Sequence, residues 1–143
     1  METLERNKAI VFRFNKEFVE NGNDSVFNEI VDPKFVYHTD PQTAPEGRES
    51  YYHFFQGLLK PSINNLKVNI HDVVAEGDKV VTMKTYYGTL KTTMSRAEDP
   101  ADTIEIVVME IIRLKDGRFV ECWNVLDWKD VGMQAIMEEN TVY

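Results

Sequence analysis

Apolar residues recur at three- and four-residue steps near the start of the chain: Ile10, Phe14 and Phe18, with Val11 and Val19 beside them. This spacing predicts an amphipathic helix over 3–21, stopped by Asn21-Gly22-Asn23. Asp24 is a good N-cap for a short second helix carrying Val26, Phe27 and Ile30. Asp32-Pro33 ends that helix, because the residue before a proline avoids the α region. A first strand is expected over 34–39. The stretch 40–47 holds two prolines and a glycine and reads as loop. A third helix is expected over 48–59, with Tyr51, Tyr52, Phe54 and Phe55 around much of its circumference, closed by Lys60-Pro61.

From residue 64 the period changes to two. Leu66, Val68 and Ile70 alternate, and Glu76-Gly77-Asp78 signals a hairpin. The return strand spans 79–89. The polar stretch 91–102, with Pro100, reads as loop, and 103–114 as a long apolar strand. Asp116-Gly117 is a strong two-residue turn, since both central positions of such a turn want φ > 0. Residues 118–128 pair back, and Met133, Ile136 and Met137 suggest a short helical tail. Helices first and antiparallel strands after them point to an α+β fold rather than to alternating βαβ units. No repeat or linker divides the chain, so 1–143 is read as a single domain.

Composition narrows the function classes. A hydrophobic content of 43% with 28% charged residues suits a globular chain with a real core. The net charge of −8 argues against a nucleic-acid partner and against an anionic membrane surface. Cys122 is the single cysteine, so no disulfide framework forms within the chain. The three histidines, His38, His53 and His71, are too scattered to suggest a metal site. The N-terminal stretch lacks the apolar core of a secretory signal, and no apolar run nears the ~20 residues of a membrane span. A cytoplasmic location is expected.

Three sets of segments carry a resemblance. They are Phe35-Val-Tyr-His38 with Asp40-Pro41; Gly47-Arg48 followed by Phe54-Phe55; and Ile111-Ile-Arg-Leu-Lys-Asp-Gly-Arg118 running into Glu121-Cys-Trp123 and Asp127. In this order, over nearly the whole chain, they resemble the SnoaL-like polyketide cyclases of the nuclear-transport-factor-like superfamily, which also holds the ketosteroid isomerases. The resemblance implies a cone: a strongly curved, mostly antiparallel sheet with the N-terminal helices packed on its concave face. It also implies a pocket for a small apolar molecule, no cofactor, and a homodimer formed through the outer sheet face. The expected function is acid/base chemistry (a cyclase, isomerase or hydratase) on an apolar carbonyl-bearing compound. Many relatives carry a His after Gly-Thr on the middle strand, where this chain has Gly88-Thr89-Leu90. A non-catalytic binding module for an apolar metabolite is the alternative.

By the family pattern Asp127 is the working carboxylate, with His38 assisting it. The resemblance puts Glu121, Trp123 and Asp127 on the concave face, the parity they share if no bulge intervenes. A carboxyl in an apolar pocket has its pKa raised, which suits a general base. Asp127 reads equally as a cap for the helical tail. Trp123 is a candidate ligand wall. Glu121 faces solvent or pairs with a cation such as Arg113, and Cys122, on the opposite parity, is a buried thiol. Glu110 sits among apolar neighbours, where a lone acid is costly unless paired or neutral. It is either a second pocket acid or points outward. Tyr37, Tyr86 and Tyr87 are candidate donors to an oxyanion, and at most one of the adjacent pair serves the pocket. Phe14, Phe18 and Phe55 are candidate pocket walls.

Overall fold

The computed structural model describes residues 3–91 and 103–128. The first helix, α1 (Thr3–Arg13), continues without a break as a π-helical segment, π1 (Phe14–Glu20). Helix α2 spans Asp24–Ile30. Its N-cap is Asn23, one residue earlier than the expected Asp24, with the Asn23 side chain accepting from the Ser25 amide at 3.1 Å. The third helix also changes pitch, running as α3 (Arg48–Tyr52) and then as π2 (His53–Leu59). Pro61 does not end it at once. Lys60–Ser62 makes a last helical turn that contains the proline, and the chain turns extended at Ile63.

Strands β1 (Val31–His38), β2 (Ile63–Glu76), β3 (Lys79–Leu90), β4 (Thr103–Lys115) and β5 (Arg118–Trp128) form one curved sheet in the order β1-β5-β4-β3-β2. All neighbours are antiparallel except β1 and β5, which run parallel. β1 starts at Val31 rather than at residue 34. Pro33 is tolerated because β1 is an edge strand and its register shifts between Val31 and Val36. The outer edge of β1 is partly closed by Glu46, which exchanges two backbone hydrogen bonds of 2.8 Å with Tyr37.

The turns follow the sequence signals. Asp116 and Gly117 both have positive φ, as the tight hairpin requires. Asn65 takes a left-handed conformation at a register shift between Asn64 and Lys67 in the β2–β3 ladder. Opposite it Gly88 is required, because a Cβ there would lie 2.5 Å from the Asn64 carbonyl oxygen. The expected helical tail at 133–137 and most of the 91–102 loop fall outside the described residues.

The helices cover the inner face of the sheet. Phe14 is the hub, with ring centroids 4.8 Å from Phe119, 5.2 Å from Phe18 and 5.9 Å from a stacked Tyr51. Phe55 closes edge-on against Phe14, Phe18 and Tyr51. Phe14, Phe18 and Phe55 are all buried in this core. Arg48, of the Gly-Arg pair, ties α3 to its neighbours. It donates to the Asn28 side chain at 2.6 Å and to the Val31 carbonyl at 3.3 Å, with its guanidinium over the Phe27 ring. No helix among the described residues is long and apolar enough to cross a membrane.

Candidate functional site

Strand alternation drives an unusual set of polar side chains into the aromatic interior. In β4 the inward row is Ile104, Ile106, Val108, Glu110, Ile112 and Leu114, so Glu110 is 1% exposed. In β3 the inward row is Val80, Thr82, Lys84 and Tyr86, and Lys84 is 0% exposed. The register sets Thr82 beside Glu110 on one side and Asn124 beside it on the other. One polar row therefore crosses three strands.

Lys84 Nζ donates to Glu110 Oε1 at 2.9 Å and to Asn15 Oδ1 at 3.0 Å, and lies 5.2 Å from the centre of the Tyr86 ring. Asn15, on π1, is held by its own donation to the Val11 carbonyl at 2.9 Å. The second Glu110 oxygen accepts from Asn124 Nδ2 at 3.4 Å and from the Cys122 thiol at 3.5 Å. Asn124 Nδ2 also donates to the Tyr37 hydroxyl at 3.1 Å. The Tyr51 hydroxyl lies against the Cys122 thiol without meeting hydrogen-bond geometry. Thr82 Oγ1 and Asn124 Oδ1 are likewise buried without a partner. Burial, then the Glu110 charge, push the Tyr51 and Tyr86 hydroxyls and the Cys122 thiol well above their usual ranges. The Tyr37 hydroxyl is also raised, chiefly by burial. These tyrosines stay protonated and can only donate or accept as phenols.

The sequence expectations divide between the two faces. Glu110, Tyr86, Phe14, Phe18 and Phe55 lie inside. Tyr87, next to Tyr86, points outward at 42% exposure. The expected inward placement of Glu121, Trp123 and Asp127 is corrected. The β4–β5 register slips between Arg113–Glu121 and Leu114–Phe119, so Val120 is an extra residue. Phe119 and Cys122 therefore both point inward, and every position after the bulge changes face relative to Phe119. Asn124 takes the inner place, whereas Asp127 is exposed on the outer face opposite Val107.

His38 is also on the outer face, paired in register with Trp123 and stacked on it at 4.9 Å with 5° between the rings. His38 Nε2–H donates to Glu121 Oε2 at 2.7 Å, and Arg113 Nε–H donates to Glu121 Oε1 at 3.0 Å. Burial raises the Glu121 carboxyl, but these two hydrogen bonds and the Arg113 charge outweigh it, and its net pKa lies below the usual range. The pair borders a depression of about 520 Å³ lined by His38, Pro41, Met109, Ile111, Trp123 and Val125, among others. His38 and Asp127 are thus separated by the sheet from Glu110. No group of three or more His, Cys, Asp or Glu is placed to hold a metal among the described residues.

Lys84, Asn124 and Asn15 were not singled out from the sequence, and Tyr51 was named only among the aromatics of the third helix. The signal for Lys84 is present in the alternation Val80-Thr82-Lys84-Tyr86, which gives it the parity of two core residues. The signal for Asn124 is its parity with Cys122.

No curated protein matches the sequence. Among solved structures, wild-type IdmH, a putative polyketide cyclase from Streptomyces antibioticus, is similar at 23% identity and TM-score 0.72, over 92% of this chain and 98% of that one. A putative SnoaL-like polyketide cyclase from Jannaschia sp. CCS1 matches at 23% identity and TM-score 0.70, over 96% and 93%. AclR, a putative hydroxylase from Streptomyces galilaeus, matches at 16% identity and TM-score 0.75, over 95% and 98%. At these identities the structures establish the fold alone. The sequence model of the SnoaL-like polyketide cyclases matches residues 9–135, and the chain belongs to that family.

Proposed function

We propose that the chain is an acid/base enzyme acting on a small, apolar, carbonyl-bearing compound, with Glu110 rather than Asp127 as the proton acceptor. The observation that carries this is a carboxylate 1% exposed beside a lysine, inside an aromatic interior that leaves hydroxyl and amide groups unpartnered. A buried polar group without a partner costs about 1–3 kcal/mol. Such capacity is explained if a ligand oxygen completes it. Glu110 takes a proton from the carbon next to the carbonyl. The protonated Tyr51 hydroxyl donates to the oxygen on which charge develops. The Phe and Tyr rings exclude water and select an apolar ligand.

The side chains of this cluster are at most 7% exposed, so a ligand reaches them only if an interior wall moves. The π1 and π2 segments, which carry Asn15 and Phe55 against the cluster, are where we place that motion, since π-helical turns are frequent at functional sites.

The test is exchange of α-protons of an apolar 1,3-diketone in deuterated buffer, followed by NMR. Glu110→Gln, checked for folding, is expected to slow exchange at least ~100-fold, with Glu110→Asp retaining part of it. Asp127→Asn is expected to stay within about twofold of the wild-type chain. Equal exchange in Glu110→Gln and wild type removes Glu110 from the role. A second reading, a binding module that holds an apolar metabolite unchanged, is favoured by the closed interior and by Leu90 packed against the core. A diketone bound without exchange supports it. The outer face, where Val125 is 72% exposed and Met109 48%, is proposed as the contact surface of a homodimer.

A further inference from the structure

Among the described residues, Lys84 is the one cation with a fully buried side chain. Its ammonium is held between Asn15 of π1 and Glu110 of β4, 5.2 Å from the centre of the Tyr86 ring. We infer that Lys84 is a covalent site: its amine condenses with the carbonyl carbon of the ligand to form an iminium, with Glu110 carrying the protons. This rests on the reading that the interior admits a carbonyl compound.

A structural ion pair accounts for Lys84, Glu110 and Asn15, which satisfy one another. It does not account for what flanks them. Thr82 Oγ1 lies beside Glu110 in register on β3 and Asn124 Oδ1 beside it on β5, and neither has a partner. Nor does it explain the unpartnered Tyr51 hydroxyl by Cys122. A carbinolamine, with a hydroxyl and an N–H on the former carbonyl carbon, presents the donors and acceptors these groups lack. The neighbouring walls, Tyr86, Phe55 and Phe14, suit an apolar ketone or aldehyde.

The steps balance. A proton moves from the Lys84 ammonium to Glu110 along the 2.9 Å contact, leaving a neutral amine and a carboxylic acid. The nitrogen lone pair attacks the carbonyl carbon, a C–N bond forms, and the carbonyl π pair moves to oxygen. A proton passes from nitrogen to that oxygen and gives the carbinolamine. Glu110 then protonates the hydroxyl, the C–O bond breaks, water leaves, and the nitrogen lone pair closes the C=N bond. The sum is ammonium plus carbonyl giving iminium plus water, and Glu110 ends as a carboxylate. It stands beside an α-carbon whose protons the positive nitrogen has made more acidic, so the lysine assists the proton abstraction assigned to Glu110.

The experiment incubates the full chain with naphthaldehyde and sodium cyanoborohydride, which reduces an iminium to a stable amine. Intact mass and peptide mapping then locate the adduct, and native mass spectrometry without reductant measures non-covalent binding of the same probe. The expected result is modification of Lys84 at least ~10-fold faster than of exposed lysines such as Lys67 and Lys115, with the preference lost in urea. Lys84→Arg, which keeps the charge, is expected to bind the probe without the preferred adduct. Adducts confined to surface lysines, with the probe still bound non-covalently, overturn the lysine chemistry and leave the carbonyl-binding reading standing. A chain that neither binds the probe nor is modified at Lys84 overturns both.

Discussion

The two faces of β4 and β5 carry the same kind of interaction in opposite surroundings. Inside, Glu110 meets a single lysine, an asparagine and the Cys122 thiol, with Lys84 and Glu110 both 0% exposed in their side chains. Outside, Glu121 meets a histidine and an arginine, and the three side chains are 20–35% exposed. The distances are nearly equal, 2.9 Å against 2.7 and 3.0 Å. Water makes the difference. Charges removed from water depend wholly on their partners, whereas half-wetted charges are replaced by solvent when a partner is lost. Geometry alone would rank the outer trio first, because it has a carboxylate-bound histidine beside an aromatic. Desolvation ranks the inner pair first.

The strongest test of that ranking is truncation of the inner acid. Glu110→Ala leaves Lys84 buried without a counter-charge and is expected to cost about 3–5 kcal/mol in denaturant unfolding. The double substitution Lys84→Met with Glu110→Leu removes both charges at similar volume and is expected to recover most of the loss while abolishing α-proton exchange. If the double variant is as unstable as the single one, the pair is not what holds this part of the core. If it retains exchange, the inner cluster is not the site.

The outer face is sharpened by a charge rather than a truncation. Val125, Met109, Ile111 and Met83 are exposed apolar residues on neighbouring strands. Val125→Lys is expected to shift a dimer toward monomer by at least tenfold in dissociation constant, about 1.4 kcal/mol, in sedimentation or light scattering. Its effect on the isolated chain is expected to stay within about 0.5 kcal/mol, as for other surface changes. An unchanged association state means that the two copies, if they meet, use another surface.

Much of the fold was legible because periodicity reports burial directly. The change from three- and four-residue steps before residue 60 to alternation after it gave the α+β order, and Asp116-Gly117 gave its hairpin. The parallel pairing of β1 with β5 was not legible, since it depends on contacts between residues far apart in the chain, such as His38 and Trp123. The site was only half legible. Glu110 stood out as an acid in an apolar run, but its direction needed the parity of its neighbours. Asp127 was misplaced by one residue: the bulge at Val120 reverses every later side chain, and nothing in Arg118-Phe-Val-Glu121 announces it. Lys84 was passed over because a lysine in a strand usually faces water.

The smallest effect tests whether the outer trio behaves as a wetted cluster. Glu121 has its pKa lowered in the folded chain: burial raises it, and the bonds from His38 and Arg113 more than reverse that. A carboxyl lowered on folding stabilises the fold above its unfolded pKa of about 4.3 and loses that contribution as pH falls through the folded value. Because the side chains remain partly in water, the contribution at neutral pH is expected to be at most ~1 kcal/mol. Glu121→Gln should therefore lower stability slightly at pH 7 and flatten the acid limb of the stability curve below about pH 4.3. A loss several times larger at pH 7 would mean that the outer trio is sealed from water in solution, as it would be beneath a partner chain. Repeating the measurement in the Val125→Lys background distinguishes that cause, because opening the interface returns the loss to the smaller value.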